Sequence, residues 1–246
     1  MDKMVYLAMS GAKENMLAQA KSANNLANVS TTGFRADLQQ ARSMQAFGDG
    51  HPSRVFSLTE RPGYKFETGT IQTTGNDFDI AVKGEGWIAV QGADGNEAYT
   101  RRGDLKINAN GLLENGAGHL VLGNGGPIAL PPFAKADIGV DGTITIRPKG
   151  AAPNELLVAD RIKLVNPDNG DLTKDQFGLF VRKDGGIEPP DAAVNVINGA
   201  IESSNVNAIE EMVQMISLSR QFELQVKMMK TAEENGQALD QLVRMG

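Results

Sequence analysis

The sequence predicts a mainly β central domain carried between long N- and C-terminal α-helices that pair as a coiled-coil-like hairpin in an assembly. Three observations point there. Nearly all of the 28 glycines and all ten prolines fall between about residues 32 and 205. Apolar residues in that stretch alternate or form short runs between turn dipeptides, the habit of strands. Both ends instead carry apolar residues at three- and four-residue steps, the habit of amphipathic helices. The expected division is 1–33 for the N-terminal helix, 34–74 for an extended connector, 75–190 for the β domain, 191–205 for a linker and 206–246 for the C-terminal helix.

Residues 1–28 contain no proline and one glycine, Gly11. Val5, Met9, Ala12, Met16, Ala20, Ala23 and Ala27 gather on one stripe. Lys13, Glu14, Gln19 and Lys21 fall mostly off it. The helix is expected to stop in Ser30-Thr31-Thr32-Gly33, where hydroxyl side chains compete for backbone hydrogen bonds and glycine frees the chain.

In the middle, Phe78–Val82, Trp87–Val90, Thr143–Ile146, Arg161–Val165 and Phe177–Val181 read as strands. Asp94-Gly95, Asn110-Gly111, Asp141-Gly142, Asn169-Gly170 and Asp184-Gly185 punctuate them. Asp141-Gly142 sits between Ile138-Gly139-Val140 and Thr143-Ile144. That is a strong hairpin signal, because such pairs tolerate the positive φ of a tight turn. Residues 34–74 are polar and less regular.

The C-terminal helix has Asn205 or Asn207 available as a cap. Glu210 and Glu211 stand in its first turn, where the helix dipole favours negative charge. Ile209, Met212, Ile216, Ser219, Phe222, Val226 and Met229 step in a heptad-like seam that becomes impure beyond Met229. At 1.5 Å per residue this helix runs to about 60 Å, too long to cover one small domain. Each helical stripe must be buried, and Ala-rich faces bury little area per residue, so further helices from other copies are expected to complete the core. The alternative is a monomeric domain whose end helices fold back on the sheet.

Chemistry is sparse. There is no cysteine, so disulfides and thiolate metal sites are excluded. A net charge of −6 disfavours a nucleic-acid partner. No apolar run approaches the roughly 20 residues of a membrane-spanning helix, so no membrane insertion is expected. The N-terminus lacks the basic start of a signal peptide; this reads as cytoplasmic, or as export that leaves the N-terminus uncleaved. His51 and His119 are the only histidines and neither has a catalytic partner motif. Gly123-Asn124-Gly125-Gly126 is followed by Pro127 and Pro131-Pro132, not by the helix start a phosphate loop needs. Asp168-Asn169-Gly170-Asp171 and Asp175 miss the alternating ligand spacing of a calcium loop. Asp77 and Asp79 share one strand face and read as its wet side. No catalytic, metal or cofactor site is assigned.

The stretch from Ser22 to Arg35, reading SANNLANVSTTGFR, resembles the N-terminal signature of the flagellar rod and hook protein family. The stretch from Ser204 to Ile216 resembles its C-terminal partner motif. Thr74–Val82, Gly84-Glu85-Gly86-Trp87 and Tyr99-Thr100-Arg101-Arg102-Gly103 resemble the family's middle. Within it, Arg101–Leu105, Arg220-Gln221-Phe222-Glu223 and Glu234-Asn235 look most like the proximal-rod members; a distal-rod or hook sibling, or a periplasmic β-rich binding or hydrolytic domain, stands as the alternative.

The resemblance implies a structural subunit of the basal-body rod in the periplasm. It implies export by the flagellar type III apparatus without a cleaved signal, and partners that are copies of itself and other rod proteins. The residues it places at the assembly interface are Val5, Met9, Ala12, Met16, Ala23, Asn24, Asn25, Leu26, Asn28, Gly33, Ile209, Met212, Ile216, Phe222, Val226 and Met229. For Asn24, Asn25 and Asn28 two roles stay open: fixing register by hydrogen bonds to neighbouring backbone, or simple capping of the helix end. Gly33 is expected to give the backbone freedom where helix passes into connector.

Overall fold

The computed structural model describes residues 4–45, 55–150 and 155–245. The chain forms two compact units. One comprises Met1–Val29, Arg35–Lys65 and Val206–Gly246; the other comprises Ser30–Phe34 and Phe66–Asn205.

The helical unit contains α1 (Met4–Ala27), β1 (Asp37–Gln45), β2 (Val55–Tyr64) and α2 (Ala208–Met245). The two helices pack against each other. One contact is at Gly11, where an added Cβ would meet Gln225 Nε2 at 2.8 Å. Ala8 and Ala12 are buried beside it, and Ala232 is buried on α2. These small side chains let the helix axes come close. A second contact joins Asn25 to Glu211. Gly11 to Asn25 and Gln225 to Glu211 are each a step of fourteen residues, two heptads, taken in opposite chain directions. The pair is therefore antiparallel and in heptad register.

β1 and β2 form an antiparallel ribbon from Asp37↔Tyr64 to Gln45↔Val55, with an irregularity between Leu38 and Gln40. It packs on α1, and Ser10 Oγ donates to the Ser57 carbonyl at 3.3 Å. The extended connector expected over 34–74 is thus largely a hairpin. A two-stranded ribbon has no core face of its own, so its sequence need not show the alternation that marks half-buried strands.

The second unit contains β3 (Ile71–Thr73), β4 (Ile80–Lys83), β5 (Trp87–Gln91), β6 (Glu97–Thr100), β7 (Leu105–Ile107), β8 (Leu113–Asn115), β9 (Leu122–Gly123), β10 (Gly126–Pro127), β11 (Phe133–Ile138), β12 (Thr143–Pro148), β13 (Leu157–Arg161), β14 (Leu164–Val165), β15 (Leu172–Lys174), β16 (Phe180–Arg182), β17 (Asn195–Asn198) and β18 (Ala200–Glu202). One sheet runs β14-β5-β6-β16-β15 and another β11-β12-β13; β17 pairs with β4, β18 with β3, β7 with β8 and β9 with β10. All of these pairings are antiparallel. Ile80, Ile88, Val90, Leu113, Val121, Ile128, Ile144 and Ile146 are fully enclosed and form the core.

The Asp141-Gly142 turn joins β11 to β12 as the dipeptide predicts. The segment 191–205, expected as a linker, carries β17 and β18 instead. Val194 and Val196 are buried, as are Ala200 and Glu202, so alternate residues enter the body despite the intervening asparagines and glycine.

Candidate assembly surface

The cap of α2 is Asn207, whose Oδ1 accepts from the Ile209 N–H at 3.1 Å and the Glu210 N–H at 3.5 Å. Asn205 is used elsewhere: its side chain donates to the Glu67 carbonyl at 2.8 Å. From this start α2 turns one face to α1. Met215, Leu218, Gln225 and Met229 are half-buried and Ala232 is buried. That seam lies one position away from most of the seam read from hydrophobicity; of the expected residues, Ser219 and Met229 are half-buried.

The rest of the expected α2 seam points outward. Ile209 is 73% exposed, Ile216 is 55% exposed, and Met212, Phe222 and Val226 are exposed as well, together with Val213 and Leu224. α1 divides similarly. Ala12 is buried and Val5 half-buried, while Met9, Ala23 and Met16 (65%) are exposed beside Tyr6 and Leu17. Each helix thus carries a packed seam, of small and polar residues on α1 and of mixed methionine, leucine, glutamine and alanine on α2, and a second, apolar stripe open to solvent.

The three asparagines have different roles. Asn25 is buried. Its Nδ2 donates to the Asp37 carbonyl at 3.0 Å and to Glu211 Oε1 at 2.8 Å, and its Oδ1 accepts from the Asp37 N–H at 2.9 Å. One amide therefore ties the end of α1, the start of β1 and the first turn of α2. Asn28 donates to the Asn24 carbonyl at 3.0 Å and to Asn24 Oδ1 at 2.7 Å, which finishes the helix locally. Leu26 is half-buried between them, and Asn24 is exposed.

In the β unit, Ser30–Phe34 is seated on the body. The Gly33 N–H donates to the Glu202 carbonyl at 2.8 Å, and Thr32 Oγ1 donates to Asp104 Oδ1 at 3.2 Å. The Asn205 N–H donates to the Phe34 carbonyl at 3.3 Å. Lys174 Nζ stands 4.2 Å from the centre of the Phe34 ring. Gly33 has φ +67°, and an added Cβ would lie 2.3 Å from the Arg101 carbonyl carbon, so only glycine fits this approach.

Below it sits a buried ion pair: Arg101 Nη1 is 3.1 Å from Glu202 Oε2, with side chains 3% and 0% exposed. Arg101 also donates to the Gly84 carbonyl at 2.6 Å, and Glu202 Oε1 accepts from the Gly69 N–H at 2.8 Å. Sequence reading missed this pair. Its one signal is Glu202 placed in phase with Val194, Val196 and Ala200.

The candidates for chemistry dissolve into turns. Asp77 and Asp79 do not share the wet face of a strand: Asp77 is exposed in the turn before β4, whereas Asp79 is buried and accepts from Thr74 Oγ1 at 2.6 Å and Asn76 Nδ2 at 3.0 Å, closing its own loop. Asp168 caps the turn at 169–171, accepting from the Gly170 N–H at 3.0 Å. Asp175 accepts from the N–H groups of Phe177 and Leu179, each at 2.9 Å. Gly123 and Gly126 pair across the β9–β10 hairpin. The His119 N–H donates to Asn115 Oδ1 at 3.0 Å within a turn; His51 lies outside the described residues. A cleft of ≈ 320 Å³ is lined by residues including Glu85, Trp87, Arg101 and Asp168. Its arginine is engaged by Glu202 and its Asp168 by the turn. Among the described residues no group of three or more His, Cys, Asp or Glu side chains could hold a metal, and no helix is long and apolar enough to cross a membrane.

Comparison with known proteins agrees with this layout. Residues 6–35 match the family model described as "Flagella basal body rod protein". Residues 81–146 match "Flagellar hook protein FlgE/F/G D1 domain", and residues 197–242 match "Flagellar basal body rod FlgEFG protein C-terminal". The flagellar basal-body rod protein FlgF of Salmonella typhimurium is 35% identical over 100% of both chains. FlgF of Escherichia coli is 36% identical over the same full coverage. The rod protein FlgG of Buchnera aphidicola is 27% identical, covering 97% of this chain and 98% of the relative. With three models in order along the chain and full-length identity to FlgF proteins, the chain belongs to the flagellar basal-body rod protein family.

Proposed function

We propose that this structural subunit of the flagellar basal-body rod assembles helically by docking the open apolar stripes of α1 and α2 against helices of neighbouring subunits. The partners are copies of itself and other rod proteins. The observation that carries this reading is the second stripe. Met9 and Met16 on α1, with Ile209, Met212, Ile216, Phe222 and Val226 on α2, are exposed while the inner seam is already packed. Burying such side chains stabilises by about 1.5–3 kcal/mol each. An apolar stripe left open on a helix marks a surface for another chain. Repeating one head-to-tail contact with a rotation that does not close produces a helix of subunits.

The β unit offers a further surface to neighbouring subunits. The chain travels to the periplasm through the flagellar type III export apparatus. It uses no cofactor and catalyses no reaction.

Ile216→Asp and Met16→Asp test the docking. Each side chain is exposed, so the isolated subunit is expected to keep its helix content and its unfolding midpoint, surface changes costing within about 0.5 kcal/mol. Incorporation into basal bodies is expected to be lost. Normal incorporation of both variants would remove the outer stripes from the interface.

A further inference from the structure

We infer that residues 194–205 are a strap that closes the β unit last, latching onto a cation site built beforehand by the rest of the body. The strap makes the longest-range joins of this unit. β18 pairs with β3 and β17 with β4, and Glu202 meets the Gly69 N–H across 133 residues of chain. Joining ends that far apart costs loop entropy before any contact repays it, so such pairings form late unless they nucleate folding.

Most of the receiving site lies outside the strap. Arg101 follows β6 directly, and its guanidinium is held by the carbonyls of Val82 and Gly84 at 3.4 and 2.6 Å. It lies 5.5 Å from the Trp87 ring centre. All of these groups fall within residues 82–101; β4, which carries Val82, takes β17 of the strap as its strand partner but is also tied to the body by the Ile80 N–H bond to the Gly103 carbonyl. Glu202 then enters as the counter-charge, and its two carboxylate oxygens take Arg101 and the Gly69 N–H.

A third segment waits on the strap. The Gly33 N–H bonds to the Glu202 backbone carbonyl, and the Phe34 carbonyl accepts from the Asn205 N–H. The N-terminal segment touches the body as well, through Thr32 and Asp104, but its two backbone bonds need the strap in place. The implied order is body, then residues 194–205, then residues 30–34, so the β unit stays open until nearly the whole of its chain is present.

Trp87 is the only tryptophan and lies beside the latch, so refolding of the full chain can be followed by its fluorescence in stopped flow. Val196→Ala and E202Q probe the strap, and Ile144→Val and Leu113→Ala probe the body. A contact formed after the rate-limiting step changes the unfolding rate, whereas one formed before it changes the folding rate. The strap variants are expected to unfold about tenfold faster or more while folding within about twofold of wild type. The body variants are expected to slow folding. Val196→Ala keeps the test open if E202Q does not fold. Strap variants that slow folding in proportion to their destabilisation would overturn the order.

Discussion

The Asn25 side-chain amide donates to Glu211 Oε1 at 2.8 Å and brackets the Asp37 peptide from both sides, so a single residue joins three segments of the helical unit. Two heptads along, Gln225 packs on Gly11. Polar groups at both points of a largely apolar seam act as keys: slipping the helices would separate Asn25 from Glu211.

Asn25→Leu is expected to destabilise the helical unit by about 2–4 kcal/mol. It removes three hydrogen bonds and strands the partner groups at Asp37 and Glu211, each unsatisfied group costing about 1–3 kcal/mol. Asn25→Asp is expected to be as harmful, because it sets two carboxylates together, and Glu211→Gln should then recover part of the loss. Helical circular dichroism during urea unfolding reads all three. Full stability in Asn25→Asp would refute the tie.

Arg101→Met is expected to cost the β unit about 3–5 kcal/mol, since it leaves Glu202 buried without its cation. Adding Glu202→Leu should return part of that loss but not all, because the Gly69 N–H then has no acceptor. Denaturant unfolding followed by Trp87 fluorescence measures the cycle, and hydrogen exchange at Gly69 should quicken in the double variant. Additive losses would mean the two side chains act separately.

Gly33→Ala and Gly95→Ala separate backbone strain from close approach. Both glycines have positive φ, +67° and +84°, but only Gly33 faces backbone, with nothing within 4 Å of a Cβ at Gly95. Gly95→Ala is expected to lose about 1 kcal/mol from the left-handed conformation alone. Gly33→Ala should lose clearly more and release Thr32 from Asp104. Equal unfolding midpoints for the two variants would contradict the contact at Arg101.

Tyr99 gives a pH dependence with a definite sign. Burial pushes its hydroxyl pKa well up, partly offset by the Glu188 N–H, which donates to the Tyr99 oxygen at 3.0 Å. A folded pKa above the unfolded value near 10 means the stabilising contribution is complete below about pH 10. It is lost progressively as pH rises beyond that, toward the folded pKa. Wild-type stability should therefore fall above about pH 10, and Tyr99→Phe should flatten that decline. Equal slopes in urea titrations at pH 9 and 11 would exclude Tyr99 as the cause.

The three-zone architecture was legible because glycine, proline and hydrophobic period change together at its borders. The Asp141-Gly142 hairpin and strands such as Trp87–Val90 followed from local pattern alone. The seam was less readable. Ile209, Met212 and Ile216 are the most apolar line on α2, yet the face turned to α1 contains Glu211 and Gln225, because close packing against Gly11 and Ala12 rewards shape over hydrophobicity. The strands at 37–45 and 55–64 read as a connector because a two-stranded ribbon need not alternate. The strap at 194–205 reads as a linker because its partners β3 and β4 lie far back in the chain, beyond any window of sequence. Asn25 and Asn28 sit three residues apart with the same side chain, and only tertiary neighbours distinguish their roles.

The bond from the Asn205 side chain to the Glu67 carbonyl brings the two ends of residues 66–205 together. A segment whose two ends meet can in principle be exchanged as a piece, but residues 30–34 belong to the same unit and are seated on it through Gly33 and Phe34. Any exchange of residues 66–205 would therefore have to carry a matching seat for that short N-terminal stretch, which ties the design of the insert to five residues far outside it.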